Sequence, residues 1–377
     1  MALPEKVSND NSGIQLTLPS RCFTDPGIYA REEELIFRRC WQPAGYSEDV
    51  AGKGDFITAR IAGHDVAIVR GRDGVLRAFF NVCQHRGHRL LKGKGNLKVA
   101  ITCPYHAWAY GLDGALRAAP NADNVCGFDS GTVSLQQVAV DEVGPMVLVC
   151  LDRDVDPFDV LYPDVRQEFQ AFVPRMGEVA FHRRSSAVLA CNWKVAVENY
   201  GECYHCRHAH PTLVSSLIDA DSYRVELFEW HHRHSSGSVP VGVTLYEVNP
   251  DVGDQAANFA NWLIWPNYSF QVNPGSNVVV FHFMPNGPES TIANIDWFFG
   301  PWVAEAERDR VVDDHARTTL QEDVDLVEEV QIGLNNLGYD RGVLMVDKNQ
   351  TTAGHSEHSV AHWQNLWRTT MGENEHA

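Results

Sequence analysis

Four residues in two tight pairs carry the strongest chemical signal in the sequence. Asn81 to His88 reads NVCQHRGH and Thr102 to Trp108 reads TCPYHAW, giving Cys83-x-His85, seventeen intervening residues, then Cys103-x-x-His106. Cys and His together favour soft-to-borderline metals, and two such pairs on separate loops can close one tetrahedral site or clamp a two-iron cluster. Structural zinc is the competing reading. Zinc fingers pair Cys with Cys and His with His, whereas each loop here supplies one of each. The mixed pairing favours a cluster with two thiolates on one iron and two imidazoles on the other. Gly87 and Pro104 let backbone N–H groups approach bridging sulfides. His88 is read as a supporting residue, because four ligands are already supplied.

A second constellation lies in Asn192 to Pro211, NWKVAVENYGECYHCRHAHP, where Glu202, Cys203, His205, Cys206, His208 and His210 crowd together. An iron(II) site that activates oxygen uses two histidines and one carboxylate on one face, with positions left open. His205 and His210 with a distant carboxylate would supply that set. His208 is the rival second ligand, since residues three apart share a helix face. Pro211 favours extended backbone at His210, so a helix should end there. Cys203 and Cys206 are read as packing thiols. Glu202, three residues before His205, can orient a metal-bound imidazole; the plain alternative is a solvated carboxylate.

The distant carboxylate is expected from Leu320 to Leu334, LQEDVDLVEEVQIGL. On a helix, Asp323 neighbours Thr319, Leu320, Leu326 and Val327, whereas Asp325 neighbours Gln321, Glu322, Glu328 and Glu329. Asp323 therefore sits on or beside the apolar face, a costly position unless paired or metal-bound. A buried ion pair is the alternative for it.

The elements that must hold these residues follow from periodicity. Residues 21–42 read as helical. From Trp41 to about Leu151, short β-rich runs between Gly and Asp turns predict a small all-β module. Asp152 to Phe158 is a polar, proline-containing connector. Beyond it, helices and strands segregate, with Asn277–Met284 and Thr291–Phe299 as neighbouring antiparallel strands and Ala304–Leu334 as one long amphipathic helix. The expected fold class is α+β, divided into a helical segment 1–40 packing with the last domain, a domain 41–155 and a catalytic domain 156–377.

Composition bounds the rest. At 377 residues, 44% hydrophobic and 21% charged, the chain fits one large or two ordinary globular domains. A formal net charge of -18 argues against nucleic acid as a partner; it serves solubility, or steers a cationic ligand or a basic partner. No apolar run approaches membrane-helix length, and Met1 to Ser20 lacks a secretory or transit signal, so a cytoplasmic location is expected. Nine cysteines do not suggest a disulfide framework, and Cys22, Cys40, Cys126, Cys150 and Cys191 read as mostly buried thiols. The runs EWHHRH (229–234) and HSEHSVAH (355–362) lack a full ligand set and read as surface or supporting histidines.

With both sites in hand, the sequence resembles the oxygenase components of Rieske non-heme iron oxygenases over nearly its whole length. Within that family it is most like the carnitine monooxygenase group, which acts on quaternary amines. The likeness rests on LRAFFNVCQHRGHRLLKGKG, ITCPYHAWAYGLDG, ECYHC…HP, EDVDLVEEVQIGL and LMVDKNQTTAGHSEHSVAHWQ. It implies a Rieske [2Fe–2S] domain joined to a helix-grip (START-like) catalytic domain, assembled as a head-to-tail trimer. It places Cys83, His85, Cys103 and His106 on the cluster and His205, His210 and Asp323 on a mononuclear iron. Glu202 falls where the family bridges the cluster of one subunit to the iron of its neighbour. The implied activity uses O2 and electrons from a separate flavin/iron–sulfur NAD(P)H reductase, since no flavin or nicotinamide motif is evident. Trp262, Trp265, Tyr268 and Phe270 are the candidate aromatic face for a trialkylammonium group, with core packing as their alternative. Ring hydroxylation on the same scaffold is the second reading. A Rieske electron carrier or redox sensor without oxygenase activity is the third.

Overall fold

The computed structural model describes residues 14–219, 221–237, 248, 250–348 and 356–373. The chain divides into two compact units, Phe37–Phe158 and a second formed from Met1–Ile36 with Asp159–Ala377 in their described parts.

In the first unit the β-rich runs become β1 (Gln42–Tyr46), β2 (Asp55–Ile61), β3 (His64–Arg70), β4 (Leu76–Phe80), β5 (Lys94–Asn96), β6 (Ile101–Thr102), β7 (Ala109–Tyr110), β8 (Leu116–Ala118), β9 (Gln137–Val143) and β10 (Met146–Cys150). Seven of them form one sheet in the order β1-β10-β9-β4-β3-β2-β5, and β6, β7 and β8 form a second. Successive side chains of a strand point to opposite faces, and β3 is buried on both. Val66 and Ile68 pack with Ile57, Ala78 and Val149 on one side. Ala67 and Val69 join Phe79, Cys83, Cys103 and Tyr110 on the other. That second core seats the two Cys–His loops.

The second unit is built on a seven-stranded antiparallel sheet in the order β11-β17-β16-β15-β14-β13-β12. Its strands are β11 (Ala180–Leu189), β12 (Arg224–Leu227), β13 (His231–Ser236), β14 (Phe259–Ile264), β15 (Tyr268–Asn273), β16 (Asn277–Gly287) and β17 (Ser290–Phe299). The helices that matter for the site are α1 (Pro26–Glu32), α2 (Trp193–Tyr200), α3 (Glu305–Arg317), α4 (Thr319–Leu334) and α5 (His358–Met371). None of the helices among the described residues is long and apolar enough to cross a membrane.

Two expected helices are shorter than the sequence pattern suggests. The stretch 21–42 is helical only to Phe37: Asp25 caps α1 by accepting N–H bonds from Gly27 (2.6 Å) and Ile28 (3.3 Å), and a π turn closes it. The long helix 304–334 breaks at Thr318, whose backbone leaves the helical region and whose hydroxyl donates to the Asp314 carbonyl at 2.7 Å. Such a hydroxyl offers the backbone a competing bond, and here it lets α4 take its own direction.

α1 is tied to the rest of the second unit through one buried carboxylate. Glu32 accepts from Trp193 Nε1 (2.8 Å), Lys194 Nζ (2.5 Å) and Trp367 Nε1 (2.6 Å), joining α1, α2 and α5. A buried charge is tolerable when its acceptor sites are filled in this way.

Candidate functional site

The two Cys–His loops have the same backbone closure. Cys83 N–H donates to the His88 carbonyl at 2.8 Å and Gly87 N–H to the Cys83 carbonyl at 3.0 Å. Cys103 N–H donates to the Trp108 carbonyl at 2.8 Å and Ala107 N–H to the Cys103 carbonyl at 3.0 Å. The fourth residue after each cysteine is left-handed, Gly87 at φ +71° and Ala107 at φ +57°. Glycine takes that conformation freely and alanine does so at a cost of about 1 kcal/mol, so tertiary packing must hold the second loop.

Both thiols are buried, while His85 is exposed and His106 half-buried. The imidazoles lie together, with ring centroids 4.8 Å apart. His85 stacks on Trp108 and His106 on Tyr105. His106 Nδ1 is buried and has no protein hydrogen-bond partner, which a metal ligand explains. Tyr110 places its hydroxyl 3.2 Å from Cys83 Sγ and accepts the Gln84 N–H at 3.0 Å. With that N–H fixing the oxygen, the O–H is free to donate to the sulfur. His88 is exposed and bonds the Arg89 carbonyl through Nδ1 at 2.6 Å.

In the second unit Asn192 caps α2, accepting the Lys194 N–H at 3.0 Å, and the helix ends at Gly201. The chain then turns through Glu202 into the short helix Cys206–Ala209, with His205 just before it, His210 just after and Pro211 opening the next. α4 is fastened to the start of α2, Glu328 and Gln331 accepting the N–H groups of Ala190 and Asn192 at 2.9 Å each. Asp323 lies upstream on that same helix.

His205, His210 and Asp323 converge, each offering a ligand atom within 4.8 Å of the others. His205 Nε2 is 3.1 Å from His210 Nε2, and Asp323 Oδ1 is 3.0 Å from His210 Nε2 and 3.6 Å from His205 Nε2. The opposite nitrogens face carboxylates: His205 Nδ1 meets Glu202, and His210 Nδ1 meets Glu322 at 2.8 Å. When each Nδ1–H is donated outward, both Nε2 lone pairs point at one another and at a carboxylate oxygen. That arrangement repels itself until positive charge lies between the three atoms. The donor set therefore fits a cation of the two-histidine, one-carboxylate class. Protons respond to the same field. Burial would lower the His205 pKa, but hydrogen bonding to Asp323 and Glu202 outweighs it and lifts it to about 10. Burial would raise the Asp323 carboxyl, and its bonds with the two histidines hold it below its ordinary value.

The rival ligand His208 is exposed and outside the trio. Asp325 is on the outer face of α4, accepting from Gln321 at 2.8 Å. Cys203 and Cys206, expected as packing thiols, are instead joined in a disulfide bracketing His205. Glu202 also receives the backbone N–H groups of Tyr204 and His205, so it shapes the loop as well as orienting the imidazole.

The trio opens onto a cavity of about 120 Å³ between the sheet and α2, α3 and α4. That is on the order of ten times what one water needs, enough for a small organic molecule. Period-two alternation decides which aromatics reach it. Odd-numbered residues face inward, among them Asn261, Gln271, Phe281, Phe283, Ile295 and Trp297. Trp262, Tyr268 and Phe270 are even-numbered and point away, and Trp265 lies in the turn between β14 and β15. All four are core residues: Trp262 donates to Glu168 at 2.7 Å, and Phe270 packs on Phe169. The aromatic wall is made instead by Tyr200, Phe281, Phe283 and Trp297, with Tyr200 lying 4.7 Å and 5.4 Å from the two phenylalanine rings. His315 also lines the cavity, and burial pushes its pKa down to about 4. Alternation from Asn277 puts Phe281 and Phe283 on one face of their strand, and the packing of the sheet decides that this face meets the cavity.

Two family models match the chain: the Rieske [2Fe–2S] domain over residues 40–137 and the ring hydroxylating alpha subunit (catalytic domain) over residues 176–373. The chain belongs to the Rieske oxygenase alpha subunits. It is 34% identical to the carnitine monooxygenase oxygenase subunit of Acinetobacter pittii, covering 97% of this chain and 98% of that one. It is 36% identical to the carnitine monooxygenase oxygenase subunit of Escherichia coli (strain K12), covering 93% and 92%. Among solved structures it resembles the quaternary ammonium Rieske monooxygenase CntA in complex with L-carnitine, at TM-score 0.82 and 32% identity over 98% of this chain and 100% of that chain. This alpha subunit is thus an oxidoreductase with a Rieske cluster and a mononuclear iron, using O2 and electrons from a partner reductase. The carrier-only reading falls, because the catalytic domain is present.

Proposed function

We propose that this alpha subunit oxygenates a small quaternary amine of the carnitine or betaine type at carbon beside nitrogen. The carrying observation is the cavity itself, which joins the His205–His210–Asp323 trio to an aromatic wall and has no Lys or Arg among its described lining residues. An aromatic face attracts a trialkylammonium group by about 0.5–2 kcal/mol, and a cationic wall would repel it. The similarity to carnitine monooxygenase subunits supports the same substrate class.

In this reading His205, His210 and Asp323 hold the mononuclear iron, and Cys83, His85, Cys103 and His106 hold the cluster. When bound, the two groups supply electron storage and O2 activation. Glu202 and Glu322 fix the imidazoles, the former also linking the site to the cluster of a neighbouring subunit in a head-to-tail trimer. Tyr200, Phe281, Phe283 and Trp297 hold the ammonium group and exclude water. The net reaction is R–H + O2 + 2 e⁻ + 2 H⁺ giving R–OH + H2O. A hydroxyl on the carbon beside a quaternary nitrogen collapses by C–N cleavage to a carbonyl compound and a tertiary amine. A flavin/iron–sulfur NAD(P)H reductase supplies the electrons, and a cytoplasmic location belongs to the same proposal.

Oxygen consumption coupled to such a reductase, screened over quaternary amines and aromatic acids, tests it. An aldehyde with a smaller amine is the expected product. A hydroxylated ring from an aromatic acid, with no response to any quaternary amine, would replace the proposal by ring hydroxylation.

A further inference from the structure

The two histidine runs, expected as surface or supporting residues, are largely internal in their described parts, and they meet. His355 lies outside the described residues, but His231, His232, His234 and His358 are all buried, and His362 is half-buried on α5. Among the described residues they form no metal site. His232 Nε2 and His362 Nδ1 face each other at 2.8 Å, and His358 is held at both nitrogens, by Ser356 Oγ (3.1 Å) and the Val225 carbonyl (3.3 Å).

What they do form is a line ending at the cavity. Tyr223 lines the cavity, and its hydroxyl lies 3.0 Å from His234 Nδ1. His234 and His232 stand two residues apart on one face of β13, with ring centroids 6.1 Å apart. His232 contacts His362, which is partly exposed among the described residues. Each strand histidine has one buried nitrogen without a protein partner, His232 Nδ1 and His234 Nε2. Asn261, directly across the ladder from His234, has a buried Oδ1 also without a partner. Buried polar atoms of this kind are matched by ordered water, which needs two to four such partners.

We propose that His362, His232, one ordered water, His234 and Tyr223 form a proton relay from the surface of the catalytic unit to the oxygen site. Oxygenation consumes two protons for each two electrons delivered, and the line of side chains brings a route for them to the cavity wall at Tyr223. Each imidazole accepts a proton at one nitrogen and releases one from the other, while the water and the Tyr223 hydroxyl accept one and release another at a single oxygen, so none changes its net charge over a transfer. Neutral imidazole does this by exchanging tautomers, and burial keeps these rings neutral: His234 is pushed down to about 3 and His362 to about 4. The inference rests on the oxygenase reading and not on the identity of the substrate.

The test compares the reductase-coupled holoenzyme with His362→Ala, Tyr223→Phe and His234→Phe. Oxygen consumption is read with and without a quaternary amine, since reduction of O2 to peroxide draws protons by the same route. The relay predicts kcat lower by about tenfold or more with KM little changed, and a larger rate decrease in D2O than the parent shows. Added imidazole should restore His362→Ala, whose gap opens to solvent. A high-resolution crystal structure should show a water bonded to His232 Nδ1 and His234 Nε2. Should His234→Phe fail to fold, the other two variants decide. Full rates with an unchanged solvent isotope effect in folded His362→Ala and Tyr223→Phe would overturn the relay, as would a dry contact between the two histidines. Failure of every quaternary amine alone would overturn only the substrate class.

Discussion

Asp323 Oδ1 lies 3.0 Å from His210 Nε2, across 113 residues of sequence. That contact joins α4 to the loop after α2 and completes the converging trio. Asp323→Ala and His210→Ala are expected to abolish turnover while leaving the Rieske absorbance in place. Iron analysis should fall from about three per chain to about two. Retained turnover in His210→Ala would remove that residue from the site.

Glu322 holds the far nitrogen of the same imidazole at 2.8 Å. Outer carboxylates of this kind fix the ring and raise its basicity, and losing one lowers metal affinity about 10–100-fold. Glu322→Ala should therefore bind iron more weakly in a chelator competition, yet recover activity when iron is in excess. An unaltered affinity would make the contact incidental.

Glu202→Gln separates two roles of one side chain. The amide can still accept the loop N–H bonds but loses the charge facing His205. Both iron centres should load, while oxidation of the reduced cluster under O2 and substrate slows by roughly 10²-fold or more, a barrier increase of about 2.7 kcal/mol. Stopped-flow absorbance of the cluster reads this directly.

Tyr110→Phe removes the O–H beside Cys83 Sγ with little change in packing. Hydrogen bonds to cluster sulfur favour the reduced, more negative state, so the midpoint potential should shift to a more negative value. Protein-film voltammetry checks the sign.

Acid should unfold the catalytic unit steeply. Burial lowers the pKa of His231, His232, His234, His282, His315 and His362, most of them to about 3 or 4. Above the ordinary histidine value of about 6.5, both folded and unfolded forms are neutral and the full stability is present. As pH falls below it, only the unfolded chain gains these protons. Each histidine then removes up to about 1.4 kcal/mol per pH unit until its folded pKa is reached. Melting temperature measured from pH 7 to pH 4.5 should drop sharply, and a flat profile would contradict the burial of these rings.

The candidate donor sets were legible in the residues because cluster and iron ligation demand particular side chains at short spacing. Cys83, His85, Cys103 and His106 stand in two loops whose local bonds are made within each loop, so a few residues carry the motif. Asp323 was legible for another reason: a carboxylate beside the apolar face of an amphipathic helix requires a partner wherever the helix docks. The break at Thr318 was not legible, since both halves keep helical periodicity and only a local hydroxyl bond and the docking of α4 separate them.

Strand parity, docking and long-range encounter belonged to the tertiary structure. The sequence named an aromatic stretch but not its register, and a shift of one residue in those strands would bring Trp262 and Phe270 to the cavity in place of Asn261 and Gln271. Likewise nothing in EWHHRH or HSEHSVAH says that His232 meets His362, because that contact spans 130 residues and exists only when α5 packs against β13. Spacing along the chain determined which chemistry the protein carries. The fold alone decided which side chains surround it, because a side chain's surroundings depend on register and packing between elements far apart in sequence.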